Sequence, residues 1–115
     1  MTLVSTQDRG AVRVITYANP PFGTMTAAGS TEMHEALTAA VGDAAVRVIV
    51  ITGGLPGVFI RHYDVGELSV MSDNLAGGAA PTPPPQPAAR RPGFLELTDL
   101  IVAADKPVIS AINGL

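Results

Sequence analysis

The sequence has 115 residues, a formal net charge of −3, no cysteine and no tryptophan. This length allows one small domain, and the lack of cysteine excludes a disulfide framework, a thiolate zinc site and a cysteine nucleophile. Charged residues make up 15% of the chain, below the roughly 25% typical of soluble domains. Part of the surface is therefore expected to be covered by more protein.

The distribution of charge and hydropathy argues against several classes of partner. Seven basic residues are scattered among ten acidic ones, which gives no basic face for nucleic acid. The two histidines, His34 and His62, are too few for a His-rich metal site. The first residues lack the basic and apolar regions of a signal peptide, and the apolar runs are far shorter than the ~20 residues of a membrane span. We expect a cytoplasmic protein that binds no metal, nucleic acid or membrane.

The first third of the chain predicts a strand followed by a helix. Residues 11–17 alternate between apolar and polar types, which favours a strand, and the two prolines within 19–23 predict a turn. Thr26 is a candidate N-cap, and Gly42 is a candidate stop. The helix between them is indicated by one apolar stripe at helical spacing, made of Met33, Ala36, Leu37, Ala40 and Val41.

The remainder predicts two more strands, one loop and one helix. Residues 46–52 are a β-branched run typical of a strand covered on both faces. Six of the ten prolines lie between Pro81 and Pro92, so residues 76–92 are interpreted as an exposed, mobile loop. Apolar spacing predicts a helix over 93–105, and a third strand starts at Pro107. The order β-α-β-loop-α-β indicates an α/β fold.

Three segments, in this order, resemble the start of the crotonase superfamily, the enoyl-CoA hydratases and isomerases. The first runs from Asn19-Pro20-Pro21 through Met25-Thr26 to the strand that ends at Gly53-Gly54. The second is Phe59 followed by Asp64-Val65-x-Glu67-Leu68, and the third is Lys106-Pro-Val-Ile-Ser-Ala-Ile-Asn113-Gly114. The resemblance implies that residues 1–115 are the N-terminal half of a crotonase-like β-β-α spiral fold, with a Pro-rich loop at 76–92.

The resemblance also implies a mechanism, in which two backbone N–H groups stabilise the enolate oxyanion of an acyl-CoA thioester. By position, the first donor is the backbone N–H of Tyr63. The second donor would lie in a glycine-rich turn after Asn113-Gly114, and the acidic catalytic residues would lie beyond Leu115. The family's small residues before the aspartate are replaced here by Arg61-His62-Tyr63, so the larger side chains are expected to shape a different acyl pocket.

Several residues of this segment have two interpretations. His62 is either a proton-transfer group or an ordinary loop histidine, and Asp64 is either reactive or the cap of the next turn. Arg61 either pairs with CoA phosphates or is solvated. The resemblance implies catalytic candidates Tyr63, His62 and Asp64. It implies substrate contacts from Met25, Phe59, Arg61, Tyr63, Val65 and Leu68.

The leading hypothesis is therefore an enzyme of the enoyl-CoA hydratase/isomerase type that uses a coenzyme A thioester as substrate and needs no further cofactor. The resemblance implies a homo-oligomer, a trimer or hexamer, for the full-length protein. The alternative is a catalytically incomplete fragment that binds acyl-CoA or another protein and needs further chain or partner subunits.

Overall fold

The computed structural model describes residues 2–77 and 93–115. These residues form β1 (Val4–Arg9), β2 (Val12–Tyr17), β3 (Thr24–Met25), α1 (Ala27–Gly42), β4 (Val48–Gly53), β5 (Arg61–Tyr63), α2 (Val65–Ala76), α3 (Phe94–Ala103) and β6 (Val108–Ala111). The expected α/β class is confirmed. Of the Pro-rich loop predicted over 76–92, Ala76 is the last residue of α2 and Gly77 its C-cap, and the rest lies outside the described residues.

A four-stranded sheet with the order β1-β2-β4-β6 forms the base of the fold. β2, β4 and β6 are parallel, with Val12 opposite Val48 and Ile49 opposite Val108. β1 runs antiparallel to β2 through a tight turn in which Gly10 has a φ of 60°, a conformation that glycine adopts without strain. The strands predicted over 11–17 and 46–52, and the strand from Pro107, are thus present with ends shifted by one or two residues.

Helix α1 packs on this sheet and forms the core with it. Its predicted N-cap is confirmed, because the Thr26 hydroxyl accepts a hydrogen bond from the Gly29 amide at 3.0 Å. Met33, Leu37 and Ala40 of the predicted stripe are buried. They lie in the same cluster as the buried side chains of β2 and β4, which are Ile15, Tyr17, Ile49 and Ile51.

Two features allow other segments to lie close to the sheet. A Cβ at Gly29 would collide with the Tyr17 ring, so glycine there lets α1 approach β2. The Asn113 side chain exchanges two hydrogen bonds with the Gly53 backbone, at 2.8 and 3.2 Å. The Asn113-Gly114 motif therefore joins the segment after β6 to the carboxyl end of β4.

Four elements were not predicted. β1 has an exposed, polar pattern after Val4, and its place in the sheet is set by backbone pairing with β2. β3 and β5 are two and three residues long and form a separate parallel pair. α2 has no buried residue, although its apolar residues Leu68, Met71 and Leu75 recur at helical spacing.

Candidate functional site

A cavity of about 520 Å³ lies beside β5, between α3 and the carboxyl end of β4. β5 and the residues before it contribute the continuous stretch 59–63, and α1 contributes Met33. The rest of the lining, mostly apolar, comes from Met25, Ile51, Phe94, Leu97, Thr98, Ile101 and Ser110. Such a concave, mostly apolar space with few polar groups is the usual form of a small-molecule site.

Backbone contacts hold residues 59–63 against this cavity. The amide of Arg61 donates to the Gly23 carbonyl at 2.9 Å, and the amide of Asp64 donates to the Met25 carbonyl at 2.8 Å. The pairing of β3 with β5 shifts register between these two bonds, a bulge of the kind that redirects side chains beside functional sites. At Gly53, a Cβ would collide with the backbone of Val58 and Phe59, so that glycine lets this stretch lie close to β4.

Asp64 caps α2 and does not line the cavity. One carboxylate oxygen accepts a hydrogen bond from the Glu67 amide at 3.0 Å, and the other accepts from the Thr24 hydroxyl at 3.3 Å. Both oxygens therefore have partners in the chain, which supports the capping interpretation over the reactive one. The carboxylate joins β3, β5 and α2 immediately after Tyr63.

Tyr63 is half-buried, and its phenol interacts with Glu67. Burial raises the pKa of Tyr63, and a hydrogen bond to the Glu67 carboxylate raises the pKa further. The same carboxylate accepts a hydrogen bond from the Ala27 amide at 2.9 Å, at the first residue of α1. Glu67 therefore connects α2 to α1.

His62 is exposed at the cavity edge, and its Nδ1 lies 2.9 Å from the Tyr63 carbonyl oxygen. Because a carbonyl only accepts, this bond assigns the hydrogen to Nδ1 and leaves Nε2 as the basic atom of the neutral ring. Arg61 is also exposed, and its Nε donates to the Leu115 carbonyl at 3.3 Å.

The structure brings together five of the predicted site residues at the cavity: Met25, Phe59, Arg61, His62 and Tyr63. The other three, Asp64, Val65 and Leu68, lie outside its lining. Val65 and Leu68 lie on α2 with 64% and 46% of their surface exposed.

Sequence reasoning missed the contribution of α3. Phe94, Leu97 and Ile101 line the cavity, and their spacing predicted the helix but not that it faces residues 59–63. It also missed the contact between α2 and α1. The signal for α2 was present as Asp64 followed three residues later by Glu67, which is a helix-start pattern.

A second, more open cavity of about 420 Å³ also has Tyr63 in its lining, together with Ala27, Gly66, Glu67, Val70 and Met71. Within residues 2–77 and 93–115, no three His, Asp or Glu side chains come together as a metal-binding group. None of the helices in the described part of the chain is long and apolar enough to cross a membrane.

The parallel sheet, the helix behind it and the cavity beside β5 define a class of protein, the crotonase-like fold. The sequence model of the enoyl-CoA hydratase/isomerase family matches residues 7–115. The chain therefore belongs to this family, and the resemblance inferred from the three segments is confirmed. A search among curated proteins finds no match.

Several solved structures have the same fold as this chain. Pseudomonas aeruginosa OdaA is 27% identical, with a TM-score of 0.69 over 99% of this chain and 40% of its own length. Enoyl-CoA hydratase EchA8_6 from Mycobacterium marinum is 24% identical, with a TM-score of 0.73 over 98% of this chain and 49% of its own. Pseudomonas aeruginosa DspI is 19% identical, with a TM-score of 0.73 over 99% of this chain and 42% of its own. The chain thus spans less than half the length of each.

Proposed function

We propose that this chain binds an acyl-CoA thioester at the cavity beside β5 and supplies one oxyanion donor of an enoyl-CoA hydratase or isomerase reaction. The observation that carries the proposal is the placement of residues 59–63, which line an apolar cavity within a family defined by enoyl-CoA chemistry. The acyl group would lie against Met25, Phe59 and the α3 side chains. Val65 and Leu68, on the exposed face of α2, would contact a longer part of the substrate.

The backbone N–H of Tyr63 is the proposed donor to the thioester oxygen. A preorganised N–H of this kind contributes about 3–4 kcal/mol where charge develops on the oxygen. Such a donor depends on backbone position, so the loss of the family's small residues at 61–63 does not remove it. The bonds made by Asp64 to Thr24 and Glu67 hold the position of this amide.

His62 is the proposed proton-transfer group at the cavity. Among the described lining residues, the side chains that can exchange a proton are Arg61, His62 and Tyr63, and the imidazole is the one with both a donor and an acceptor nitrogen. Its Nε2 is the atom left free to take a proton from, or give one to, the substrate. Arg61 is proposed to pair with the phosphates of CoA.

A second candidate function is acyl-CoA binding without chemistry. It is favoured by the described cavity lining, which contains no carboxylate, because Asp64 and Glu67 are engaged elsewhere. Under either function we propose a CoA thioester as ligand with no metal, a homo-oligomer of trimer or hexamer type, and a cytoplasmic location.

Turnover and binding assays separate the two functions. Crotonyl-CoA is incubated with the full-length protein, and loss of the conjugated thioester absorbance is followed. The first proposal predicts turnover that falls at least tenfold in His62→Gln but not in His34→Gln, since His34 lies on α1 away from the cavity lining. Calorimetric binding without turnover would favour the second function. Absence of both binding and turnover with every acyl-CoA would overturn both.

A further inference from the structure

The two cavities share one wall. Of the described residues that line them, Tyr63 alone is common to both. Glu67, whose carboxylate raises the pKa of the Tyr63 phenol, lines the second cavity but not the first. Tyr63 therefore forms part of the wall of both cavities.

We propose that the Tyr63 side chain divides a longer acyl channel and is the residue that limits the acyl chains this site accepts. This inference rests on the proposed function, because it takes the first cavity as the acyl site. Beyond the ring, Val70 and Met71 give the second cavity apolar walls suited to methylene groups. Glu67, which lines the second cavity, is fixed by the Ala27 amide at 2.9 Å.

The backbone and the side chain of Tyr63 have separable roles. The N–H is the proposed oxyanion donor, and it is retained in every substitution except proline. Removing the ring in Tyr63→Ala opens the way from the first cavity to the second without deleting the donor. Tyr63→Phe is the matched control, because it keeps the ring and loses only the hydroxyl.

Methionine methyl groups report which cavity a ligand enters. The chain has four methionines. Met25 and Met33 line the first cavity, and Met71 lines the second. Protein labelled with ¹³C at the methionine methyl groups is titrated with butanoyl-CoA and decanoyl-CoA, and CoA without an acyl group is the reference.

In the native chain, both thioesters are expected to shift the signals of Met25 and Met33 and to leave Met71 at its position with CoA alone. In Tyr63→Ala, decanoyl-CoA also shifts Met71. The ratio of decanoyl to butanoyl affinity then rises by about fourfold for each methylene that enters the second cavity. Tyr63→Phe behaves as the native chain.

Each other outcome is informative. A shift of Met71 by decanoyl-CoA in the native chain, or an unchanged affinity ratio in folded Tyr63→Ala, overturns the dividing role of the ring while leaving acyl-CoA binding intact. If Tyr63→Ala does not fold, Tyr63→Val, which suits a strand, replaces it.

If no acyl-CoA binds, the proposed function fails. The dividing role of Tyr63 is then tested separately with decanol, a neutral chain without CoA, by the same methionine methyl signals. The dividing role of Tyr63 is supported if decanol shifts the signals of Met25 and Met33 but not of Met71 in the native chain, and shifts all three signals in Tyr63→Ala. If decanol shifts the same signals in both proteins, the dividing role of Tyr63 is overturned.

Discussion

Two regions of this molecule are stabilised in different ways. The first, the four-stranded sheet with α1, has a core in which Ile15, Leu37 and Ile49 are fully buried. The second, made of β3, β5 and α2, contains a helix without a single buried residue. In the second region the described contacts include the backbone pairing of β3 with β5 and the hydrogen bonds made by Asp64 and Glu67. This comparison shows that apolar burial stabilises the sheet and α1, whereas hydrogen bonds contribute more to the segments beside the cavity.

The largest expected effect is in the core of the first region. Leu37→Ala deletes a fully buried side chain and is expected to lower the free energy of unfolding by about 2–5 kcal/mol. Leu75→Ala on α2, where the side chain is 82% exposed, is the matched control and is expected to change it by no more than about 0.5 kcal/mol. Urea unfolding measures both, and equal losses would remove the distinction between the regions.

In the second region, Asp64→Ala is expected to lower the free energy of unfolding by about 1 kcal/mol, the usual effect of losing an N-cap. It is also expected to weaken crotonyl-CoA binding, because the Tyr63 amide loses its support. Asp64→Asn keeps an oxygen for the Glu67 amide and is expected to restore both properties. Urea unfolding and calorimetry give the two values. Native affinity in folded Asp64→Ala would show that the carboxylate does not position this segment.

The contact between Glu67 and Tyr63 predicts a change in a pKa. Glu67→Gln removes a negative charge that raises the pKa of the Tyr63 phenol, so that pKa is expected to fall toward the usual value of about 10. The pKa of Tyr17, raised chiefly by burial, is the internal control. Titration of the ¹³Cζ signals of the two tyrosines measures both, and an unmoved Tyr63 would disprove the contact.

The same contact has a consequence for stability at high pH. The folded-state pKa of Tyr63 is raised, so above about pH 10 the unfolded chain loses this proton first and stability falls as pH rises. Glu67→Gln is expected to reduce this fall, which thermal unfolding between neutral and alkaline pH records. An identical fall in both proteins would contradict this linkage.

The smallest effect is expected at the ion pairs of the first region, where Arg13 contacts Asp8 at 2.7 Å and Asp43 at 3.0 Å. A hydrogen bond from Arg13 lowers the pKa of Asp8. The Ala45 amide and Arg13 lower the pKa of Asp43. Because both folded-state pKa values are depressed, this stabilisation is present above about pH 4 and is lost as pH falls further.

Arg13→Gln is expected to make the melting temperature less dependent on pH below about pH 4, while Arg9→Gln on the neighbouring strand leaves the dependence unchanged. Thermal unfolding across this range is the measurement. A profile for Arg13→Gln that matches the native chain would show that these surface pairs contribute nothing.

The first region could be largely predicted from the sequence. The β-branched run at 46–52 and the stripe through Met33 and Leu37 predict β4 and α1, because burial imposes a period on the residues that face a core. β1 was missed since its side chains after Val4 are exposed, and an edge strand held by backbone pairing leaves no such period.

The second region could be predicted only in part. The family resemblance placed Phe59, Arg61, His62 and Tyr63 at one site, and the structure gathers these four at the cavity. α2 was missed although Leu68, Met71 and Leu75 recur at helical spacing, and these side chains are exposed in the structure. The contact of Glu67 with Ala27 joins residues 40 positions apart, which no local pattern encodes.

The central claim, that the Tyr63 backbone N–H receives the thioester oxygen of an acyl-CoA, is tested most directly by the ¹⁵N–¹H signal of that amide. Protein labelled with ¹⁵N is titrated with crotonyl-CoA and, separately, with CoA that carries no acyl group. The account predicts that crotonyl-CoA moves the Tyr63 amide proton downfield and that CoA alone does not. Saturable crotonyl-CoA binding that leaves the Tyr63 amide where CoA alone leaves it would contradict the account.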